Sequence, residues 1–172
     1  MNKEKKDAVI IILICNAILI SLLELIIPVP VPVPGVKLGL ANIITIIALV
    51  FLDFKDVLTI VVLRCIVVAV LSKGITVLPF SLTGGLLSAM AMWLLYQKMS
   101  NWFSIKGISI VGAIVHNTAQ LVVASFILGE TVIFYYIPVL LISAVVTGLI
   151  TGTISELTVR EIQKREIFKE IM

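Results

Sequence analysis

Six long apolar runs, separated only by short polar or proline-rich breaks, constrain the fold of this chain more than any single motif. They predict membrane spans at residues 8–27, 36–52, 57–72, 82–97, 108–129 and 133–154. With 60% hydrophobic and only 13% charged residues among 172, the chain has too little polar surface to enclose a water-soluble core. We therefore expect an all-α integral membrane protein, a six-transmembrane-helix bundle that forms one membrane domain over residues 1–172.

The basic residues are distributed unevenly between these runs. If six spans are present, ten of the thirteen Lys and Arg residues fall on one side of the membrane. Because Lys and Arg in short loops stay on the cytoplasmic side, both chain termini are predicted to be cytoplasmic. The tail 155–172 mixes charged and apolar residues, and it is predicted to form an amphipathic helix at the inner surface.

A run of alternating Pro and Val, from Pro28 to Pro34, separates the first two spans. Each proline lacks a backbone N–H and holds φ near the polyproline value, so the run is predicted to be a stiff extended strap that ends at Gly35. The charge distribution puts this strap on the outer side. Two roles remain open: it covers a binding site, or it only staples the first two spans together.

Three polar residues in the fifth span, His116, Asn117 and Gln120, are spaced one, three and four residues apart. These spacings predict that they share one helical face, with aliphatic residues such as Leu121 on the opposite face toward lipid. A polar side chain inside a membrane is costly, so each one needs a role. Two interpretations remain open: interhelical hydrogen bonds that lock the bundle, or contact with a bound small molecule.

Four more polar residues, Glu24, Lys37, Asn42 and Arg64, fall within the predicted spans and at or near the outer half of the membrane. One interpretation is a buried ion pair between Glu24 and Arg64 or between Glu24 and Lys37. Because basic residues outnumber Glu24 in this region, the alternative is an anion-attracting pocket that opens outward. In that case Lys37, Asn42 and Arg64 join the residues of the fifth span as substrate-binding candidates.

The sequence contains no nucleotide-binding, hydrolase, zinc-protease or CxxC motif, and it has no paired aspartate motif for magnesium and a diphosphate. Asp53 and Asp56 fall beside Lys55 in a short inner loop, where we interpret them as solvated charges. Cys15 and Cys65 fall in apolar runs with no ligand-like spacing. We expect no enzymatic activity, no cofactor, no metal and no nucleic-acid partner.

Two small residues four positions apart in the first span, Ala17 and Ser21, predict a close helix contact. Such a face serves either packing within the chain's own bundle or docking to a second membrane subunit. The residues alone do not separate these roles.

Three motifs resemble a known family. PGVKLGLANIITIIAL at 34–49, SLTGGLLSAMAMWLL at 81–95 and GAIVHNTAQL at 112–121 look like the Gx transporter family, whose members are often labelled heptaprenyl diphosphate synthase component I. That family is similar to the substrate-binding S components of energy-coupling factor transporters. S components are six-helix membrane proteins that bind a vitamin-like molecule near the outer face and dock on a transmembrane coupling subunit driven by two ATPases.

The resemblance implies a protein of the bacterial cell membrane that binds a small vitamin-like or cofactor-like molecule for uptake. It also implies a docking role for the small-residue face at Ala17 and Ser21. The synthase label does not fit catalysis, because soluble prenyl diphosphate synthases use aspartate-rich motifs that this chain lacks. The alternative function is therefore a non-catalytic membrane partner of a prenyl diphosphate synthase or of a quinone or redox system.

Overall fold

α-Helices form almost all of the structure, a computed structural model that describes residues 3–27, 39–72 and 74–165. No β-strand occurs within these ranges. Two short 3-10 segments, Ile75–Val77 and Val132–Tyr136, lead directly into α4 and α6. The helices are α1 Lys3–Glu24, α2 Asn42–Phe51, α3 Phe54–Leu71, α4 Leu78–Met99, α5 Ile105–Leu128 and α6 Ile137–Lys164.

Four stretches are long and apolar enough to cross a membrane: Lys3–Glu24, Ile75–Met99, Ile105–Leu128 and Val132–Lys164. Helix α3 has 18 residues but contains three charged side chains, and α2 has only 10 residues. Large aliphatic and aromatic side chains are exposed along α1, α5 and α6, where lipid rather than water is the suitable surroundings. The chain is therefore an all-helical membrane protein, and the count of six spans stays a prediction.

Helix boundaries follow from local chemistry. The Ser104 hydroxyl accepts a hydrogen bond from the Gly107 N–H at the start of α5, and Gly129 at φ +67° ends that helix. Helix α2 begins only at Asn42, six residues after the start of the predicted span. Gly39 has φ +83°, in the left-handed region, so a right-handed helix cannot run through it. Residues 28–38, with the whole strap and Lys37, lie outside the described residues.

Helix α5 lies at the centre, packed along α4 on one side and α6 on the other. Glycines allow the closest approach: a Cβ added to Gly148 in α6 would lie 2.6 Å from the Ile110 Cα. A Cβ on Gly152 would lie 2.8 Å from the Lys106 Cα. Helix α1 instead packs mainly against α3. The three C-terminal helices therefore form one tightly joined unit, and α1 is held by fewer neighbours.

One end of the bundle carries ion pairs. Lys6 Nζ lies 2.8 Å from Asp53 Oδ2 and 2.7 Å from Asp56 Oδ2. The hydrogen bond from Lys6 lowers the pKa of Asp53. The interpretation of both aspartates as solvated loop charges is wrong for Asp56, which lies in the first turn of α3 and caps that helix together with Asp53.

Helix α6 continues beyond the predicted sixth span to Lys164, so the first part of the tail is helical. Its Glu156 pairs with Lys106 at the start of α5, 3.6 Å away. Val159 is buried, whereas Leu157 is 63% exposed. Residues 166–172 lie outside the described residues, so the amphipathic helix is tested only in its first half.

Candidate functional site

A small polar cavity lies where α1, α3, α4 and α5 meet the start of α2. Its volume of about 20 Å³ leaves room for about one water molecule. In this arrangement the cavity is too small for an organic ligand. If the site binds such a ligand, the structure shows its closed form. It is lined by Ser21, Glu24, Gly39, Ala41, Arg64, Cys65, Val68, Ser81 and His116.

One wall of the cavity is made by the end of α1 and the turn before α2. Glu24 is the last residue of α1, its side chain is buried, and its Oε1 accepts a hydrogen bond from the Gly39 N–H. A Cβ on Gly39 would lie 3.4 Å from Asn42 Nδ2 and 3.5 Å from His116 Cδ2. Gly39 therefore provides both the positive φ and the space that bring this turn against α5.

Arg64 enters the cavity from the middle of α3 and is only 5% exposed. Its Nη2 lies 3.9 Å from Cys65 Sγ, a weak contact. Within residues 3–27, 39–72 and 74–165, no carboxylate lies within 4 Å of its guanidinium, so the ion pair with Glu24 is not formed. A Cβ on Gly85 of α4 would lie 3.1 Å from Nη2, so this glycine leaves room for the guanidinium.

The polar residues of α5 are divided between two places. His116 lines the cavity, and Gln120 lies beside it against Gly84 of α4, where an added Cβ would be 3.0 Å from Gln120 Cγ and 3.1 Å from His116 Nδ1. Asn117 instead faces α6, in a separate small void lined by apolar residues such as Leu140. The prediction of one shared face is therefore confirmed only for His116 and Gln120.

The predicted lipid-facing position of Leu121 is wrong. Leu121 is 1% exposed and belongs to a core cluster with Phe80 and Ala124, whereas it was expected to face lipid. The physical reason is the central position of α5. Since α4 and α6 both pack against it, its buried arc is wider than the single polar face on which the prediction was based.

Asn42, at the first turn of α2, is the least satisfied polar residue of the site. Its side chain is 1% exposed, and neither its Nδ2 nor its Oδ1 has a hydrogen-bond partner. Asn117 Oδ1 is also buried without a partner. A buried polar group that lacks its hydrogen bond costs about 1–3 kcal/mol. Polar residues whose only role is to hold helices together are expected to form hydrogen bonds with each other. The Asn42 amide and the Asn117 Oδ1 form none.

The predicted docking residues are both buried in the chain's own bundle. Ala17 packs in the core cluster between α1 and its neighbours, and Ser21 lines the cavity. The docking role stays a prediction, but in this arrangement neither side chain is available to a partner.

Two residues that line the cavity, Cys65 and Ser81, were not predicted from the sequence. In the structure the Cys65 thiol donates a hydrogen bond to the Ser81 carbonyl oxygen, 3.3 Å away. Ser81 opens the second of the three motifs, which is the one signal that pointed to it.

A second, larger space of about 500 Å³ lies between α4 and α5. It is an apolar groove on the outside of the bundle, lined by residues such as Leu87, Ile114 and Val122. It offers almost no polar group that would select one molecule over another, so it suits a lipid tail better than a specific ligand. Among the residues the structure describes, no three His, Cys, Asp or Glu side chains are grouped to hold a metal ion.

A family model described as heptaprenyl diphosphate synthase component I matches residues 13–158 of the chain. The matched range includes every residue that lines the cavity and all of α2 to α5. The word "component" in this description implies that family members work with a partner. Neither a curated protein nor a solved structure matches the chain significantly.

Proposed function

The chain belongs to the heptaprenyl diphosphate synthase component I family, and we propose that it is a non-catalytic subunit that binds a small vitamin-like or cofactor-like molecule for uptake. In this proposal it has six transmembrane helices, as the S components of energy-coupling factor transporters have, and lies in the bacterial cell membrane with both termini cytoplasmic. The observation that carries the proposal is the buried polar cluster around the cavity, in which Asn42 has no hydrogen-bond partner.

A polar cluster inside a membrane protein either holds helices together or binds a ligand, and the two roles differ in the hydrogen bonding expected without ligand. A cluster that holds helices together gains stability only if its groups pair with each other, because an unpaired group in hydrocarbon is costly. A cluster that binds a ligand leaves some groups unpaired until the ligand supplies the partners. The unpaired amide of Asn42, which lies with His116 beside the lining residue Gly39, favours the second function.

Binding of an organic molecule requires the cavity to open, since about 20 Å³ holds little more than one water. The tightly packed unit of α4, α5 and α6 is poorly suited to move. Helix α1 packs mainly on α3 and ends at Glu24, which closes the cavity through its bond to Gly39. We therefore assign the opening to a displacement of the end of α1 and the Gly39 turn away from α5.

In this proposal the chain binds the substrate and does not itself couple uptake to ATP hydrolysis. A transmembrane coupling subunit with two ATPases would supply the energy. Because Ala17 and Ser21 are buried, docking on such a subunit would use either another surface of α1 or a rearranged bundle.

The test is to purify the protein in a mild detergent and to identify any retained small molecule by mass spectrometry after denaturation. Wild-type protein is expected to release one compound at close to one molecule per chain. His116→Ala and Gln120→Ala should lose it. Thr118→Ala, an exposed position on the same helix, should retain it. Folded wild-type protein that releases no compound contradicts the proposal.

The family description favours a second candidate, a membrane partner of a prenyl diphosphate synthase. In that case the chain anchors or assists a catalytic subunit, and the polar cluster has no ligand of its own. A pull-down from cells that contain such a synthase separates the two candidates. Purified protein that releases no compound but retains the synthase at a fixed stoichiometry would support this second function.

A further inference from the structure

We propose that the molecule bound at the cavity carries an oxyanion, a carboxylate or a phosphate group, which pairs with Arg64. This inference rests on the proposed function and adds the charge class of the ligand. Its basis is a buried guanidinium that lines the closed cavity without a carboxylate partner, together with the buried Asn42 amide, which has no hydrogen-bond partner and lies beside the lining residue Gly39.

Arg64 is a buried charge with no opposite charge in direct contact. A charged side chain that is almost completely buried in a membrane protein is strongly unfavourable unless an opposite charge lies against it. Across the described ranges no carboxylate fulfils this role, and residues 28–38 contain no Asp or Glu in their sequence. Glu24 lines the same cavity but lies beyond 4 Å from the guanidinium, so a bound molecule would supply the negative charge in direct contact with Arg64. The planar fork of Arg matches the two oxygens of a carboxylate or phosphate.

Glu24 restricts the ligand further. Its carboxylate lines the same cavity, so a ligand with several negative charges would be repelled there. Its Oε1 already accepts the hydrogen bond of the Gly39 N–H. The ligand that fits both charges carries one oxyanion toward Arg64 and a hydrogen-bond donor toward Glu24. The free amide of Asn42 then provides both a donor and an acceptor for the rest of the molecule.

The chain contains a natural reporter for this site. Cys65 lines the cavity, with Sγ only 3.9 Å from Arg64 Nη2. An anion bound to Arg64 blocks access to the thiol and raises the negative potential around it, which opposes formation of the reactive thiolate. The second cysteine, Cys15, is exposed on α1 and serves as an internal reference in the same molecule.

The experiment uses the full chain in lipid nanodiscs and measures the alkylation rate of each cysteine by N-ethylmaleimide, read by mass spectrometry of the two peptides. The probes are acetate, glycine and inorganic phosphate, with acetamide as the neutral analogue of acetate and sodium chloride to equalise ionic strength. At saturation an oxyanion probe is expected to slow alkylation of Cys65 at least fivefold and to leave Cys15 unchanged. Acetamide should have no effect. Protection by acetate or glycine indicates a carboxylate ligand, and protection by phosphate alone indicates a phosphate ligand.

Two variants link the effect to Arg64. Arg64→Gln should abolish protection, and Arg64→Lys, which keeps the charge but not the fork, should retain part of it. A thermal unfolding midpoint close to that of wild type in each variant shows that the fold is retained. Protection that persists in Arg64→Gln, or equal protection by acetamide, overturns the inference. If the purified protein releases a neutral or cationic compound, the inference fails and the proposed function stands. If no compound is released and no probe protects Cys65, both fail.

Discussion

Replacement of Asn42 by Leu should stabilise the protein while it weakens ligand binding. Leu has the same number and branching of side-chain heavy atoms as Asn, although its methyl groups are larger, so tighter packing around a side chain that is 1% exposed offsets part of the gain. It removes two buried groups, Nδ2 and Oδ1, that have no hydrogen-bond partner. Each such group costs about 1–3 kcal/mol, and removal of both should raise the free energy of unfolding by about 2 kcal/mol. For a chain of this length that corresponds to a rise in Tm of roughly 4–8 °C.

The assay is thermal unfolding in detergent of ligand-free wild type and Asn42→Leu, together with retention of the co-purified compound. The matched control is Asn16→Leu, because Asn16 is exposed on α1 and its Nδ2 donates to the Ile12 carbonyl oxygen. That variant should leave ligand retention unchanged and give no rise in Tm of this size. A lower Tm for Asn42→Leu would refute the reasoning, since it would mean that the amide stabilises the folded bundle.

Two further predictions concern packing and charge. Gly148→Ala should destabilise the protein by about 1–3 kcal/mol, because the new Cβ would lie 2.6 Å from the backbone of Ile110. Gly112→Ala should cost less, because the atoms nearest to its Cβ all belong to the unbranched Met92 side chain, which can change rotamer, and not to backbone; equal Tm losses for the two variants would contradict this. Lys6→Gln should lower Tm at pH 7, and its effect should vanish under acid conditions. The pKa of Asp53 is lowered in the folded protein, so this pair contributes stability above the ordinary carboxyl pKa of 3.8 and loses it as the pH falls further. An effect of Lys6→Gln that is unchanged at acid pH would contradict the ion pair.

The helices and the family could be predicted from the sequence because both depend on local patterns. Apolar runs long enough to cross a membrane mark the helices regardless of what packs against them. The family was recognised from three short motifs, and the match over residues 13–158 confirms it. The polar residues of the site were also found by sequence, since any polar side chain within an apolar run stands out.

The arrangement of those residues could not be predicted, because it depends on where neighbouring helices pack. Asn117 is separated from His116 by the position of α6, which no pattern within α5 reveals. Gly39 shows no signal in the sequence beyond its small size, while its positive φ and its bond to Glu24 require the fold. Cys65 is an ordinary small residue in an apolar run until α3 is placed against α4. For Arg64, sequence left an ion pair and an anion pocket open, and the separation of the guanidinium from Glu24 favours the pocket.

The position of the bound molecule tests the central claim most directly. A crystal structure of the purified protein with its retained compound should show that compound between Arg64 and Asn42. The end of α1 and the Gly39 turn should be displaced from α5 relative to the closed form. Density for the compound in the apolar groove between α4 and α5, with the polar cavity still closed, would contradict the account.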